Sequence, residues 1–557
     1  MLQRYSILLL LLFFAQHARA QQTDPAIFCG ADEYVQRRVE ADSAYRAFVL
    51  KTRLTPSDKA DNTTIYTIPV IFVVYHTGEA AGTGSNVSDA DLQAQIDLIN
   101  RRYTGTAPFT SPDTRIRFAL AQRSLTCGSF GGIVRFNASS VPNYASQGIT
   151  SYEAADALAK SFPDFRSSSY DDYIVVRVVR ALTFASGFAQ LNGGTIFVNA
   201  NGMKDRSNGN YLLSHEVGHV LSLFHTFDGS DSSNGNGCPA NTNPQTDGDA
   251  VADTDPHRFG DFGNCNPNQL NSCTNAIFGP LTYNTMNYSC GDRFSNGQVG
   301  RMRSFIETSL PSLANNIYLT PPTPGEALTP ASCTVGVGLT SNQGWQEGIQ
   351  QVRFGSINRT SGYSSYYDGY YQDFSCSDKT TVTAGQSYTL SIGAPYVYGY
   401  RQVYIDYNND GTFNETNERV VNATPFGGTS AHTISIPTTA ITETYLRLRV
   451  VVDEGSTPPT ACYLPGNATY GAGQVEDYGV MIRSATPPCT VFTSIKAGSW
   501  TDPTVWSCGR IPTGSDAVMI SHALTVPASQ LVRAQRVVFM AGGQVVYGAA
   551  GRLVLGQ

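Results

Sequence analysis

Residues 215–225 read HEVGHVLSLFH and place three of the chain's eight histidines beside a glutamate. On an α-helix, His215 and His219 lie about 400° apart, so both imidazoles leave nearly one face and suit a single ion. His225 would be carried roughly 80° off that face by a straight helix. It joins the other two only if the chain turns sharply between Val220 and Phe224. Such a turn calls for a positive φ, which glycine reaches without a Cβ penalty. Here the turn positions are Leu221, Ser222 and Leu223. A left-handed serine costs about 1–2 kcal/mol, whereas zinc binding supplies on the order of 10 kcal/mol. Serine therefore strains the turn without abolishing the site.

The chemistry follows from the residue types. Neutral imidazoles suit Zn²⁺, and three protein ligands plus a water form the usual catalytic arrangement. Zinc lowers the pKa of that water toward about 7. Glu216 follows His215 directly and can take the proton during attack, then deliver it to a leaving amine. Val217, Val220, Leu221 and Phe224 supply an apolar face that packs the helix, so the histidines are not needed in the core. Coincidence on a core helix is the bland alternative, and so few histidines make it a poor one.

Working outward, 557 residues predict three or four domains. Only 15% of residues are charged and Gly, Tyr, Thr and Asn are common, which favours β-rich extracellular modules. A net charge of -7 offers no basic patch and excludes nucleic acid as a partner. Residues 1–20 are expected to be an export signal: Arg4, then ILLLLLFFA, then ARA before Gln21. No later stretch is long and apolar enough to span a bilayer. The protein is thus expected outside the cell, free or at a cell surface. Eleven cysteines leave at least one unpaired within the chain. Cys238, Cys265, Cys273 and Cys290 are disulfide candidates in a loop with little apolar periodicity; a second zinc site is the alternative, but the close pair spacing of a zinc knuckle is missing.

Residues 21–61 are polar and helix-prone. Residues 62–318 alternate strand-like runs (IYTIPVIFVVYH, RIRFALAQR, YDDYIVVRVVRAL, GGTIFVNANG) with amphipathic helices, one of them capped by Ser88. This predicts an α/β domain with a mixed twisted sheet and an active-site helix. Residues 319–332 read as a proline-rich linker. Residues 333–483 show short alternating strands, which predict a β-sandwich. Residues 484–557 are again β-rich and are expected to be incomplete or to need a partner surface. Trp500 and Trp506 belong in that module's core.

The stretch HEVGHVLSLFHTFDG, with GDAVADTDP, NTMNYS and RFSNGQVGRM, resembles the pappalysin/cytophagalysin family of metzincin endopeptidases over roughly residues 62–315. The resemblance implies His215, His219 and His225 as zinc ligands, Glu216 as general base and acid, and protein or peptide substrates. It makes Met286 the methionine of a Met-turn beneath the zinc and Tyr288 a stabiliser of the oxyanion. Ser222 departs from the family's glycine and Asn287 from its common aspartate. Asp292 is a candidate for a specificity pocket. Residues 21–61 are then expected to be a prosegment, and Cys29, in FCGADEY, stands where such precursors carry a Cys-Gly whose thiolate can cap the zinc; a disulfide with Cys127, or a buried thiol, is the alternative. Asp406, Asn408 and Asp410, in DYNNDGTF, resemble half of a calcium loop, or else form an Asn-Asp-Gly hairpin turn. That region, with GQVEDYGV, resembles the GEVED repeat domain, and GSWTDPTVWSCGRIP resembles the opening of β-helical or adhesin-like modules. The competing class is a surface adhesin with a protease-like domain that only binds.

Overall fold

The structure is a computed structural model describing residues 29–556, except 42, 55–62, 125, 163–171, 192–194, 231–236, 260, 262–264, 289, 315, 334, 336–347, 362–370, 454–456, 463–472, 486–488 and 490. The export signal expected at residues 1–20 lies outside these. Among the described residues, no helix is long and apolar enough to cross a membrane. The chain divides into two compact units: residues 383–385 and 483–557 form one, and the rest forms the other.

The larger unit opens with two helices, α1 (Ala31–Ala41) and α2 (Ser43–Arg53). Strand β1 (Tyr66–His76) follows, buried along nearly its whole length. Its first half pairs in parallel with β2 (Ile116–Leu120) and its second half with β3 (Ile133–Asn137). On its other side lie β4 (Ile174–Val179) and then β6 (Thr195–Asn199), also parallel. Among the described strands of this sheet, the edge strand β5 (Gly187–Ala189) alone runs antiparallel. Continuous apolar runs such as IVVRVV suit strands covered on both faces.

Helix α3 (Asp89–Thr104) starts at Ser88, whose side chain accepts from Asp91 N. It packs Leu92, Ile96 and Ile99 into the core shared with β1, β4 and the histidine helix α4 (Leu212–Val220). Arg102 on α3 donates to Ser214 Oγ at 3.1 Å, and Tyr103 OH donates to Ser214 O at 3.2 Å, which braces α4 from behind. Helix α5 (Asn296–Ser309) begins with a full capping box of Ser295 and Gln298.

The stretch read as a linker is instead a strap on the α/β body. Leu328 is buried in the core with β1 and β4 residues, alongside Tyr318 just ahead of the stretch. Arg123 draws the strap in through Thr320 O, Pro321 O and the Glu326 carboxylate. The β-rich part continues the same unit through the disulfide Cys127–Cys376, so Cys127 is not available to Cys29. Its strands are β7 (Gln351–Phe354), β8 (Ile357–Thr360), β9 (Tyr371–Asp373), β10 (Lys379–Thr383), β11 (Ser387–Ile405), β12 (Arg419–Ser435), β13 (Tyr445–Asp453) and β14 (Gly473–Arg483). Strand β11 bends at register breaks between Ala394 and Arg401; its first half pairs with β7 and its second with β13. A bulged strand that changes partner in this way turns the corner of a sandwich.

In the smaller unit, parallel pairs stack in coils: β15 (Val491–Thr493), β17 (Ala517–Ile520) and β20 (Arg536–Phe539) form one sheet. A second holds β16 (Gly498–Ser499), β18 (Ala523–Val526) and β21 (Gln544–Tyr547). The third pairs β19 (Leu531–Ala534) with β22 (Arg552–Leu555). Trp500 and Trp506 lie in its core.

Candidate active site

Helix α4 ends in a Schellman motif. Ser222 N donates to His219 O at 3.0 Å and Leu223 N donates to Gly218 O at 2.9 Å. Ser222 takes φ = 75°, so the left-handed turn falls on the serine. Its hydroxyl accepts from Arg301 Nη2 at 3.2 Å and its carbonyl accepts from Arg301 Nε at 2.7 Å. The turn returns His225 to the face carrying His215 and His219.

The three Nε2 atoms stand 3.1, 3.1 and 3.2 Å apart. Each ring spends its other nitrogen on an acceptor. His215 Nδ1 faces Thr285 O at 2.7 Å, His219 Nδ1 faces Leu223 O at 2.8 Å, and His225 Nδ1 faces the Asp32 carboxylate at 2.8 and 2.9 Å. Those acceptors fix the protons on Nδ1 and leave three Nε2 lone pairs converging on one point. Lone pairs cannot bond to one another, whereas a cation with metal–nitrogen distances near 2.0 Å satisfies all three. Burial, and then the neighbouring imidazoles, hold His215 well below the usual histidine range, and burial with His225 takes His219 down to about 3. Neutral rings are what a metal requires. The donor set therefore fits zinc.

Glu216 is fully buried beside these rings. Its Oε2 accepts from Cys29 Sγ at 3.5 Å, and its Oε1 has no hydrogen-bond partner. Burial pushes this carboxyl well above the ordinary glutamate range. A Cβ on Gly187 would stand 2.9 Å from Glu216 Oε1, so the glycine keeps room for the carboxylate beneath β5. Met286 is buried under the site, and a Cβ on Gly218 would meet its Sδ at 2.4 Å. Asn287 accepts from Tyr288 N at 2.7 Å through Oδ1. Tyr288 packs edge-on against His225 at 4.9 Å, and burial raises its phenol well above the usual range.

The first described residues lie across this cleft. Cys29 forms a parallel bridge with Gly187, and Gly30 N donates to Gly187 O at 2.9 Å. Cys29 Sγ comes within 3.5 Å of His219 Nε2, and its carbonyl accepts from Tyr288 OH at 2.9 Å. The thiol and the three imidazoles form a group whose ligand atoms all lie within 4.8 Å of one another. Burial, and then Glu216, push the thiol well above its ordinary range. Cys29 is the free cysteine of the chain.

Cys238 pairs with Cys273 and Cys265 with Cys290, stapling the loop that follows the histidines. Asp292 accepts from Thr110 Oγ1 at 2.9 Å. Asp406, Asn408 and Asp410 lie in the hairpin loop between β11 and β12, away from the histidines in sequence. Asp406 accepts from the N–H groups of Asp410 and Gly411, and Asp410 from that of Thr412. Among the described residues, the group of histidine, cysteine and carboxylate ligand atoms close enough to share a metal ion is the one at the histidines. Sequence reasoning missed Arg301, Gly187 and the pair Arg53–Asp228; isolated glycines and arginines carry no local signal of a contact made far along the chain.

Residues 173–307 match the family described as Pregnancy-associated plasma protein-A, and residues 400–481 match the GEVED domain. An extracellular metalloprotease of Arthroderma otae is 27% identical over 236 residues, 40% of this chain and 72% of that protein. One from Pyricularia oryzae is 28% identical over 306 residues, 52% of this chain and 93% of that protein. Among solved structures, a mutant of Tannerella forsythia promirolysin aligns with 20% identity and a TM-score of 0.38, covering 52% of this chain and 97% of its own. Mature mirolysin of the same organism, in complex with a cleaved peptide, aligns with 22% identity and a TM-score of 0.35, covering 46% and 97%. Residues 173–307 are thus similar to the peptidase domain of the pappalysin metalloproteases, and residues 400–481 to a GEVED domain.

Proposed function

We propose that this chain is the precursor of a secreted zinc endopeptidase that cuts extracellular proteins or peptides. The observation that carries the reading is the convergence of three buried Nε2 lone pairs beside the Glu216 carboxylate. His215, His219 and His225 would hold the ion, and zinc so held supplies Lewis acidity that acidifies water and polarises a carbonyl. Glu216 takes the proton of the attacking water on its free Oε1 and hands it to the leaving amine. Tyr288 donates its hydroxyl to the oxygen that gains charge at the scissile carbon. The Cys29 carbonyl, which now accepts that hydroxyl, stands in for a substrate carbonyl. The edge of β5 offers backbone groups to an extended chain, as it does to Gly30.

Residues 29–54 act as a latency segment in this reading. Cys29 Sγ occupies the position nearest the three imidazoles and Glu216, where it excludes water. Cys29 Sγ, as a thiolate, would be placed to join the three imidazoles as a further ligand of the ion. Secretion is supported by five disulfides and by the extracellular relatives. An adhesin with a vestigial site would have no use for the buried Glu216 or the Tyr288 hydroxyl. Digestion of a peptide library by the proteolytically activated precursor, with and without a zinc chelator and read by mass spectrometry, tests the proposal. Chelator-sensitive internal cleavage is expected; intact peptides, or cleavage indifferent to the chelator, would reject it.

A further inference from the structure

Two prosegment side chains grip the turn that carries the third histidine. Asp32, in the first turn of α1, accepts from His225 Nδ1 at 2.8 and 2.9 Å. Arg53, the last residue of α2, donates to Asp228 at 2.8 Å and to Gly248 O at 2.7 Å, with its guanidinium 4.0 Å over the Phe224 ring. Asp228 closes the turn that His225 opens, its N–H donating to His225 O at 2.9 Å. One short turn thus holds a donor whose acceptor comes from the prosegment, and an acceptor whose cation comes from the prosegment. With residues 29–54 in place, His225 is fully buried and the Asp228 side chain is 21% exposed.

Both partners are lost in one event when residues 29–54 leave. An imidazole N–H that has lost its acceptor and a carboxylate that has lost its cation can satisfy one another, and a hydrogen bond to a charged group is among the stronger ones. The two vacated groups lie three residues apart in one turn and are complementary. The charge of Arg53 acts on Asp32 and Asp228 alike, so its departure frees the remaining carboxylate. We infer that activation exchanges the carboxylate that orients His225: Asp32 serves in the precursor and Asp228 in the mature enzyme. Asp228 is then a positioning residue for the third imidazole, held idle by Arg53 until the prosegment departs. His215 and His219 need no exchange, because Thr285 O and Leu223 O belong to the enzyme body. The inference rests on reading residues 29–54 as a removable segment.

Zinc retention, measured by competition with a chelator, separates the two carboxylates. The full-length chain is used as wild type, Asp32→Asn, Asp228→Asn and Asp228→Glu, before and after limited proteolysis between residues 54 and 63. Loss of an outer-shell carboxylate typically weakens a metal site about 10–100-fold. Asp32→Asn should show that loss in the precursor and not after activation, while Asp228→Asn should show the reverse. Asp228→Glu should retain most of the affinity. Should Asp228→Asn fail to fold, the double variant Arg53→Met/Asp32→Asn reads the same exchange in the precursor. There the freed Asp228 should restore zinc retention above that of Asp32→Asn alone, and no restoration overturns the inference. Equal retention by activated wild type and activated Asp228→Asn also overturns it, while leaving the latency reading intact. A wild-type precursor that is fully active before cleavage rejects the latency reading, and the exchange with it.

Discussion

Ser222→Gly offers a direct test of how the metal-binding turn is held. From the sequence alone, glycine is the better residue at this position, since a left-handed serine costs about 1–2 kcal/mol. Arg301 reverses that sign. Its Nη2 donates to Ser222 Oγ at 3.2 Å in a fully buried setting, and a hydrogen bond to a charged group is worth about 1.5–3 kcal/mol. Glycine also loses roughly 0.4–1 kcal/mol through the added freedom of the unfolded chain. These terms leave Ser222→Gly destabilised by about 1 kcal/mol. Ser222→Ala keeps the backbone strain and loses the same bond, so it should cost about 2 kcal/mol. Zinc release from the precursor, followed along a urea titration, reads the turn itself. Midpoints should fall in the order wild type, Gly, Ala. A glycine variant more resistant than wild type would refute the reasoning and show that the Arg301 contact does not hold the serine.

Three further outcomes follow from contacts at the site. Tyr288→Phe should lower kcat by roughly 10–10³-fold with little change in KM, because its hydroxyl acts on charge that develops in the transition state; an effect confined to KM would make it a binding residue. Cys29→Ala should yield a precursor that is active, or processes itself, before any cut is visible on a gel; a mutant that stays latent would shift the block to the backbone of residues 29–31 and to Asp32. Gly187→Ala should depress kcat through the 2.9 Å approach of its new Cβ to Glu216 Oε1, with zinc content unchanged; unaltered kcat would show that the carboxylate has room to give.

The histidine site was legible because its geometry is local. Four residues of helix align His215 with His219, and a single left-handed residue at Ser222 recovers His225. The sheet could be read from continuous apolar runs, and the helix starts from Ser88 and Ser295. Interactions that join distant segments were not legible. Nothing near Arg123 announces that it will pull the proline-rich strap onto the α/β body, nor anything near Cys127 that it will pair with Cys376. Proline content alone suggested a free linker, but Leu328 is apolar enough to be drawn into the core. The role of Asp32 needed the fold as well, since a carboxylate three residues past Cys29 reads equally well as the first turn of a helix.

Glu216→Ala tests the central claim most directly. In the structure Glu216 stands beside the three imidazoles without belonging to the converging nitrogen set. After the prosegment is cut away, the variant should still carry one zinc per chain by elemental analysis and should cleave peptides at no more than about a thousandth of the wild-type rate, as expected for a lost proton carrier. Loss of the zinc, or a rate within tenfold of wild type, would contradict the assignment of Glu216 as the proton carrier of a three-histidine metallopeptidase.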